Sequence, residues 1–191
     1  MPRLVIGTVV LLFVLAGCGG DPKAVSTPSP TPPPSTGPAH PSATTATTAT
    51  PSSAPVPVMP AQASADTRAG AIAFVRYYVE LINHLQSTGD GAPVVAVSAK
   101  GCRSCEAVVA AARALYAAGG RVNGGAWSID DTVARHPSPT TWAVRVAGQL
   151  APSTFTKSGS DTPTTRPGGK ADARFVLTFD RTWKVLQWLP T

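Results

Sequence analysis

Apolar residues recur at helical spacing in the stretch that follows residue 66. Ile72, Val75 and Val79 fall three or four positions apart, so they share one face of a helix. The Asp and Thr at 66–67 are favourable N-cap residues, and the Thr-Gly-Asp-Gly run at 88–91 ends the helix after residue 87. The pattern predicts an amphipathic helix with a wide buried face. Its polar stripe consists of Arg76, Glu80, Asn83 and Ser87.

Two further helices are indicated before the chain changes its periodicity. A short helical turn is expected over 93–98, since Pro93 suits a first helical position. A third helix is expected over 102–118, and Gly119 and Gly120 end it. The core face predicted for this helix consists of Cys105, Val108, Val109, Ala112, Leu115 and Tyr116.

Beyond the two glycines, apolar and polar residues alternate with a period of two. This pattern predicts strands over 127–134 and 142–150, joined by a turn at 136–139, and a terminal hairpin over 175–189. The polar segment 151–173 is long for a loop in a compact domain, so either 153–157 forms an edge strand, which we favour, or the segment is a mobile flap. Helices followed by strands indicate an α+β domain, with the helices covering one face of an antiparallel sheet of at least four strands.

The N-terminal segment is typical of an export signal. Residues 4–16 form an uncharged, mostly aliphatic run that follows Arg3 and is too short to span a bilayer of roughly 30 Å. The residues Leu15-Ala16-Gly17-Cys18 resemble the lipobox of bacterial lipoprotein precursors. By that resemblance, 1–17 is a signal peptide that is removed, and Cys18 carries the lipid that anchors the protein to the extracytoplasmic face of the cell membrane. The alternative is an ordinary signal peptide with a chance cysteine.

Residues 18–65 have the composition of a disordered linker. Twelve of the chain's 20 prolines lie in this segment, together with many Thr, Ser and Ala residues and no aromatic residue. Such a segment cannot bury enough apolar surface to offset the entropy of ordering its backbone. We therefore expect an extended stalk that carries one globular domain over 66–191.

The charge distribution disfavours a nucleic-acid-binding function. The formal charge of +6 includes Arg3, so the chain without residues 1–17 carries about +5. Its basic residues are scattered, without the clustering or the interleaved aromatic residues of a nucleic-acid groove. A mild attraction to an anionic membrane or wall polymer is the expected consequence.

Two motifs and the order of the elements resemble a known family. The motifs are Ala73-Phe74-Val75-Arg76-Tyr77-Tyr78 and Ser98-Ala99-Lys100-Gly101-Cys102-Arg103-Ser104-Cys105. Both are similar to a family of actinobacterial lipoproteins whose domain has no assigned function. The element order resembles the cone-shaped fold of nuclear transport factor 2-like proteins, which implies a curved antiparallel sheet under the helices. The resemblance covers roughly residues 66–190.

Cys102 and Cys105 form a pair once Cys18 is lipidated. Cysteines three residues apart at the first turn of a helix have Cα atoms about 5 to 5.5 Å apart, within the range that a disulfide accepts. In an exported protein we expect a disulfide that fixes the start of the helix. The alternatives are an envelope thiol-disulfide redox protein, because a helix N-terminus lowers the pKa of a cysteine, and a zinc half-site, which lacks a second pair of ligands.

No catalytic or metal-binding constellation is evident in the sequence, and no cofactor is expected. His84 is a lone histidine on a packed helix, and Asp130 and Asp131 are adjacent on a strand and point to opposite faces. The resemblance to cone-shaped folds implies a cavity between the sheet and the first helix. The side chains expected to line this cavity are Tyr77, Tyr78, Trp142, Arg145 and Trp188; the alternative is that the aromatic residues fill the core.

These observations favour a non-enzymatic binding domain displayed on the cell envelope. Its expected partner is a cell-wall component, a small hydrophobic ligand or an envelope protein. The redox protein that uses Cys102 and Cys105 is the alternative. An enzyme acting in the pocket is a third interpretation, which rests on fold-level analogy alone.

Overall fold

The computed structural model describes residues 54–191 and confirms the α+β class. The signal peptide, Cys18 and most of the linker lie outside the described residues. Within residues 54–191, three α-helices precede eight strands in two antiparallel sheets. The helices are α1 (Arg68–Thr88), α2 (Ala92–Val97) and α3 (Arg103–Ala117). The strands are β1 (Gly119–Gly124), β2 (Trp127–Ser138), β3 (Thr141–Leu150), β4 (Ser153–Ser158), β5 (Thr164–Arg166), β6 (Gly169–Lys170), β7 (Ala173–Asp180) and β8 (Thr182–Pro190).

Helix α1 has the caps that its sequence predicts. The Thr67 side chain accepts a hydrogen bond from the Gly70 amide at 3.0 Å, which satisfies one of the unpaired donors of the first turn. The helix ends where Gly89 adopts a left-handed φ of 79° and donates its N–H to the Leu85 carbonyl. Phe74 and other large side chains on the opposite face from Arg76 are fully buried. The predicted helix is therefore confirmed, and it continues one residue further than expected.

The larger sheet holds the core of the domain. Its strand order is β2-β3-β7-β8, with the short β6 also paired to β3, and α1 packs against β2 and β3. Phe175, Trp127 and Trp188 form a cluster in which each ring centroid lies 6.0 to 6.1 Å from the other two. Val144 and Val185 are also fully buried on this face. The four strands expected from the period of two are all present.

The turn expected at 136–139 is wrong by about two residues. Strand β2 continues through His136 and Pro137 to Ser138, with a register irregularity between Arg135 and Ser138. Proline is tolerated there because β2 lies at the edge of the sheet, where its missing N–H breaks no ladder bond. The turn itself lies at 139–140.

A second sheet corrects the expectation of a single one. It has the order β1-β4-β5, so the predicted edge strand at 153–157 exists as β4 but pairs with β1 and not with the larger sheet. Gly119 and Gly120 do more than end α3, because they begin β1. A Cβ on Gly120 would lie 2.5 Å from a Leu115 methyl group and 2.6 Å from two β4 carbonyl oxygens. Only glycine at position 120 allows the Leu115 side chain of α3 and the backbone of β4 to approach this closely.

The domain begins before residue 66, inside the expected linker. Residues Ala61–Ser64 form a 3-10 turn, and Ala63 is 1% exposed in the core. A Cβ on Gly70 would overlap the Ala65 carbonyl, so the turn lies directly against α1. Asp66 does not cap the helix but accepts a hydrogen bond from the Trp142 indole at 2.8 Å. This contact ties the start of the domain to β3.

Candidate functional site

The cysteine pair lies beneath the last strand of the larger sheet. Cys102 is the N-cap residue of α3 and is disulfide-bonded to Cys105, with Cα atoms 5.3 Å apart. The two residues are 1% and 2% exposed. Next to them, the Ser104 hydroxyl accepts a hydrogen bond from the Trp188 amide of β8 at 3.1 Å. Thiol-disulfide exchange needs a sulfur atom that a second thiolate can reach, so this burial disfavours the redox alternative.

The four aromatic residues expected to line a pocket pack in or against the core instead. Tyr78 is fully buried, and its hydroxyl lies 3.2 Å from that of Ser98. Burial raises the pKa of Tyr78, while the Ser98 hydrogen bond opposes the shift. Trp142 stacks on His136 with ring centroids 4.3 Å apart, and Trp188 stacks on Phe175. These side chains support the packing of the sheet rather than lining a common cavity.

Arg145 lies away from the buried aromatic residues, whereas Tyr77 packs in the core with its ring centroid 6.4 Å from that of Phe74. Arg145 is exposed on the opposite face of β3 from Trp142, as the alternation of side chains along a strand requires. The sequence alone shows that Trp142 and Arg145 do not share a face, because residues an odd number of positions apart in a strand point to opposite faces. Tyr77 lines a shallow depression on α1 beside Glu80, and burial raises its pKa, with the Glu80 charge adding to the shift. The five residues therefore do not form one site.

An apolar cavity of about 540 Å³ lies between α1, α3 and the smaller sheet. We call it the apolar cleft. Its volume falls within the range of about 300 to 1,000 Å³ that is typical of small-molecule sites. Its apolar lining consists of Ile82, Leu85, Val108, Ala111, Ala112, Leu115, Tyr116, Val122 and Phe155, and its polar lining of Gln86, Ser153 and Arg166.

The cleft exists because the larger sheet uses only part of the apolar face of α3. Of the six residues expected in that core face, only Cys105 and Val109 are buried. Val108 and Leu115 are half-buried and line the cleft, so the predicted core face is confirmed only in part. Short alanine side chains at the same face leave the gap between α3 and the smaller sheet unfilled.

Arginine residues stack on two aromatic rings at the cleft. The Arg166 guanidinium carbon lies 4.6 Å from the centroid of Phe155, and that of Arg121 lies 5.0 Å from the centroid of Tyr116. Neither arginine forms an ion pair within residues 54–191. Among the described residues that line the cleft, none is acidic. The cleft therefore combines an apolar floor with a positive charge at its edge.

Tyr116 fixes one wall of the cleft. Its hydroxyl donates a hydrogen bond to the Gln86 carbonyl of α1 at 2.7 Å. Burial raises the pKa of Tyr116, against a lowering by a backbone hydrogen bond at Val122 and by the Arg121 charge. A Cβ on Gly89 would lie 2.5 Å from the Tyr116 ring, so the ring sits directly on the left-handed end of α1.

A second, more polar cavity lies on the outer face of the larger sheet and has a volume of about 550 Å³. Arg145 and Arg174 are directly opposite each other on β3 and β7, and Arg135 lies nearby on β2. None of the three forms an ion pair among the described residues. Asp131 and Asp172 line the same cavity, so its charges are of mixed sign.

The remaining candidates of the sequence analysis do not form a site. His84 is 7% exposed, and its Nε2 atom lies 3.8 Å from a carboxylate oxygen of Asp90. Asp130 and Asp131 are not buried, and a bulge in β2 lies between Ile129 and Asp131. Within the described part of the chain, no group of three or more His, Cys, Asp or Glu side chains is placed to hold a metal ion.

The fold and the cleft define an α+β domain with a cavity of ligand size. The chain belongs to the family of unknown function DUF6318, whose model matches residues 42–188. This match confirms the expectation of a domain without an assigned function. No protein with a curated description matches the chain. None of the helices in residues 54–191 is long and apolar enough to cross a membrane.

Two solved structures are similar to the domain at low sequence identity. The intermembrane space region of the chloroplast protein ARC6 has a TM-score of 0.47 and 11% identity, over 65% of this chain and 95% of that one. The protein Aln2 from a Streptomyces species has a TM-score of 0.43 and 15% identity, over 63% of this chain and 89% of that one.

Proposed function

We propose that the protein is an exported lipoprotein whose domain binds a small apolar ligand without chemically changing it. The lipid on Cys18 anchors the chain to the extracytoplasmic face of the cell membrane, and residues 18–60 form the spacer. The uncharged run at 4–16 and the lipobox-like Leu15-Ala16-Gly17-Cys18 support the anchor. As part of this proposal, the chain is related to actinobacterial lipoproteins and has a nuclear transport factor 2-like fold. The two sequence motifs and the order of helices followed by strands support this relationship.

The apolar cleft is the observation that carries the binding function. It offers apolar side chains from two helices and two strands of a second sheet. Among its described lining residues there is no His, Asp, Glu or Cys to serve as a general base or as an activated nucleophile. A small hydrophobic molecule is therefore the partner that this surface fits better than a wall polymer or an envelope protein.

The expected affinity follows from the apolar surface that a ligand buries. A ligand that buries about eight methylene groups gains about 6 kcal/mol, at about 0.8 kcal/mol for each group. That free energy corresponds to a Kd on the order of tens of micromolar before ordering costs. Titration of the purified domain with a neutral environment-sensitive dye, N-phenyl-1-naphthylamine, should show saturable binding in this range.

A pair of matched variants tests whether the cleft is the site. Ala112→Trp fills the cleft from α3 and should abolish dye binding, whereas Ala110→Trp places the same side chain at an exposed position of α3 outside the cleft. Circular dichroism should show that both variants are folded. Dye binding that survives in folded Ala112→Trp, or no binding by the unmodified domain, would contradict the proposed binding site.

The lipid anchor has its own test. Cells that produce the full chain and are grown with a labelled fatty acid should incorporate the label into the protein, and Cys18→Ser should remove it. An unlabelled wild type, or label that persists in Cys18→Ser, would refute the anchor. Neither result bears on the cleft, so the two parts of the proposal can fail separately.

A further inference from the structure

We propose that the ligand of the apolar cleft is a single-chain amphiphile with an oxyanion head group, held at the head by Arg166. This inference rests on the proposed function, since it names the class of ligand that the same cleft takes. The acyl chain lies on the apolar floor, and the carboxylate or phosphate head pairs with the guanidinium group.

The polar lining residues of the cleft are gathered at one end of the smaller sheet. Ser153 of β4 is the cross-strand partner of Arg166 of β5 and also of Gly124 of β1. The Gln86 side chain donates hydrogen bonds to the carbonyl oxygens of Gly124 and Gly125 at 3.4 and 3.2 Å. Gln86, Ser153 and Arg166 therefore lie together, and the apolar lining extends away from them. This division matches a ligand with one polar end.

Arg166 is the only charged residue among the described lining of the cleft. Its guanidinium carbon lies over the Phe155 ring, 4.6 Å from the centroid, so an aromatic wall supports the charged group. A guanidinium held in this way presents its N–H groups as a fork, the geometry that carboxylates and phosphates accept. No ion pair within residues 54–191 competes for it. The charge complementarity of the cleft thus favours an anionic head group over a neutral or a cationic one.

Ligands that share one alkyl chain test the head-group preference. Isothermal titration of the purified domain should use dodecanoate, dodecanol and dodecylamine, each below its micellar concentration, and dodecyl phosphate to compare the two oxyanions. Dodecanoate and dodecyl phosphate should bind about five to ten times more tightly than dodecanol, and dodecylamine more weakly still. Raising the salt concentration should reduce this preference because Arg166 is exposed.

Two arginine variants locate the preference. Arg166→Gln should reduce the affinity for dodecanoate to that for dodecanol and leave dodecanol binding unchanged, and Arg166→Lys should retain part of the preference. Arg68→Gln is the charge-matched control, because Arg68 is exposed at the start of α1 and does not line the cleft. It makes the same change in net charge and should have little effect.

The outcomes separate this inference from the proposed function. Equal affinity for dodecanoate and dodecanol, tighter binding of dodecylamine, or an equal effect of Arg68→Gln and Arg166→Gln would overturn the oxyanion proposal while the cleft remained a binding site. If neither these amphiphiles nor the neutral dye bound, the proposed function itself would fail.

Discussion

Asn83 joins α1 to β2 through two hydrogen bonds from one side chain. Its amide nitrogen donates to the Trp127 carbonyl at 2.9 Å, and the Trp127 amide donates to its side-chain oxygen at 2.8 Å. The side chain thus pairs with the first residue of β2 as a neighbouring strand would. Both bonds are partly buried. Replacing Asn83 with leucine, which has a similar size, removes both bonds at once.

The cost of Asn83→Leu can be estimated from the groups left without partners. An unsatisfied buried donor or acceptor costs about 1 to 3 kcal/mol. Partial exposure lets water reach the Trp127 backbone, so the lower half of that range applies to each group. We expect the free energy of unfolding to fall by about 2 to 4 kcal/mol, which lowers the Tm by roughly 10 °C for a domain of this size.

Urea denaturation followed by tryptophan fluorescence would measure this loss. The matched control is Asn123→Leu, the same substitution at an exposed position of β1, which should change the free energy of unfolding by less than about 0.5 kcal/mol. Asn83→Asp retains the acceptor for the Trp127 amide but places a carboxylate against the Trp127 carbonyl, so it should also destabilise. If Asn83→Leu cost no more than Asn123→Leu, the argument for this contact would be refuted.

Three further predictions concern charge, the disulfide and a glycine. Arg145 and Arg174 lie directly opposite each other, so Arg174→Thr should raise the free energy of unfolding by about 0.2 to 1 kcal/mol at low salt, with a smaller gain at high salt; a gain independent of salt would contradict this. Cys102→Ser, which removes the disulfide, should lower the free energy of unfolding by on the order of 2 kcal/mol in urea denaturation. In the reduced unmodified protein, a thiol reagent should label Cys102 and Cys105 only as fast as the domain unfolds. Rapid labelling, or reductase activity, would favour the redox alternative. Gly89→Ala should lower the Tm more than Gly101→Ala. Both glycines have positive φ, but of the two only Gly89 would place a Cβ against another side chain, that of Tyr116. Equal shifts in Tm would show that the Tyr116 contact is unimportant.

The sequence predicts the helices and strands that have one buried face and one solvent-exposed face. Helix α1 and strands β3, β7 and β8 follow their periods closely, because burial on the larger sheet selects apolar residues at regular intervals. Strands β1 and β5 give no such signal, since they are short, rich in Gly and Thr, and mostly exposed. Their pairing with β4 depends on backbone hydrogen bonds, which sequence patterns do not report. The sequence pattern therefore does not predict the second sheet.

The candidate site was missed for a related reason. The spacing of Val108 and Leu115 shows that α3 has an apolar face, but spacing cannot say whether a protein side chain or a ligand covers that face. Likewise, Asn83 lies on the polar side of α1 by periodicity, and only the fold reveals that β2 begins opposite it. Arg145 is different, because the period of two in β3 was sufficient to exclude it from the buried face.

The position of β8 sets the order in which the domain can fold. Ser98 pairs with Val185 of β8, the Ala99 amide donates to the Val185 carbonyl, and Ser104 accepts from Trp188, 84 residues further along the chain. Helices α2 and α3 can form early, but much of the surface on which they dock is absent until this strand is in place. Such distant contacts make folding slow. The helical layer would therefore be completed last, and truncation before β8 would leave apolar helix faces open to aggregation.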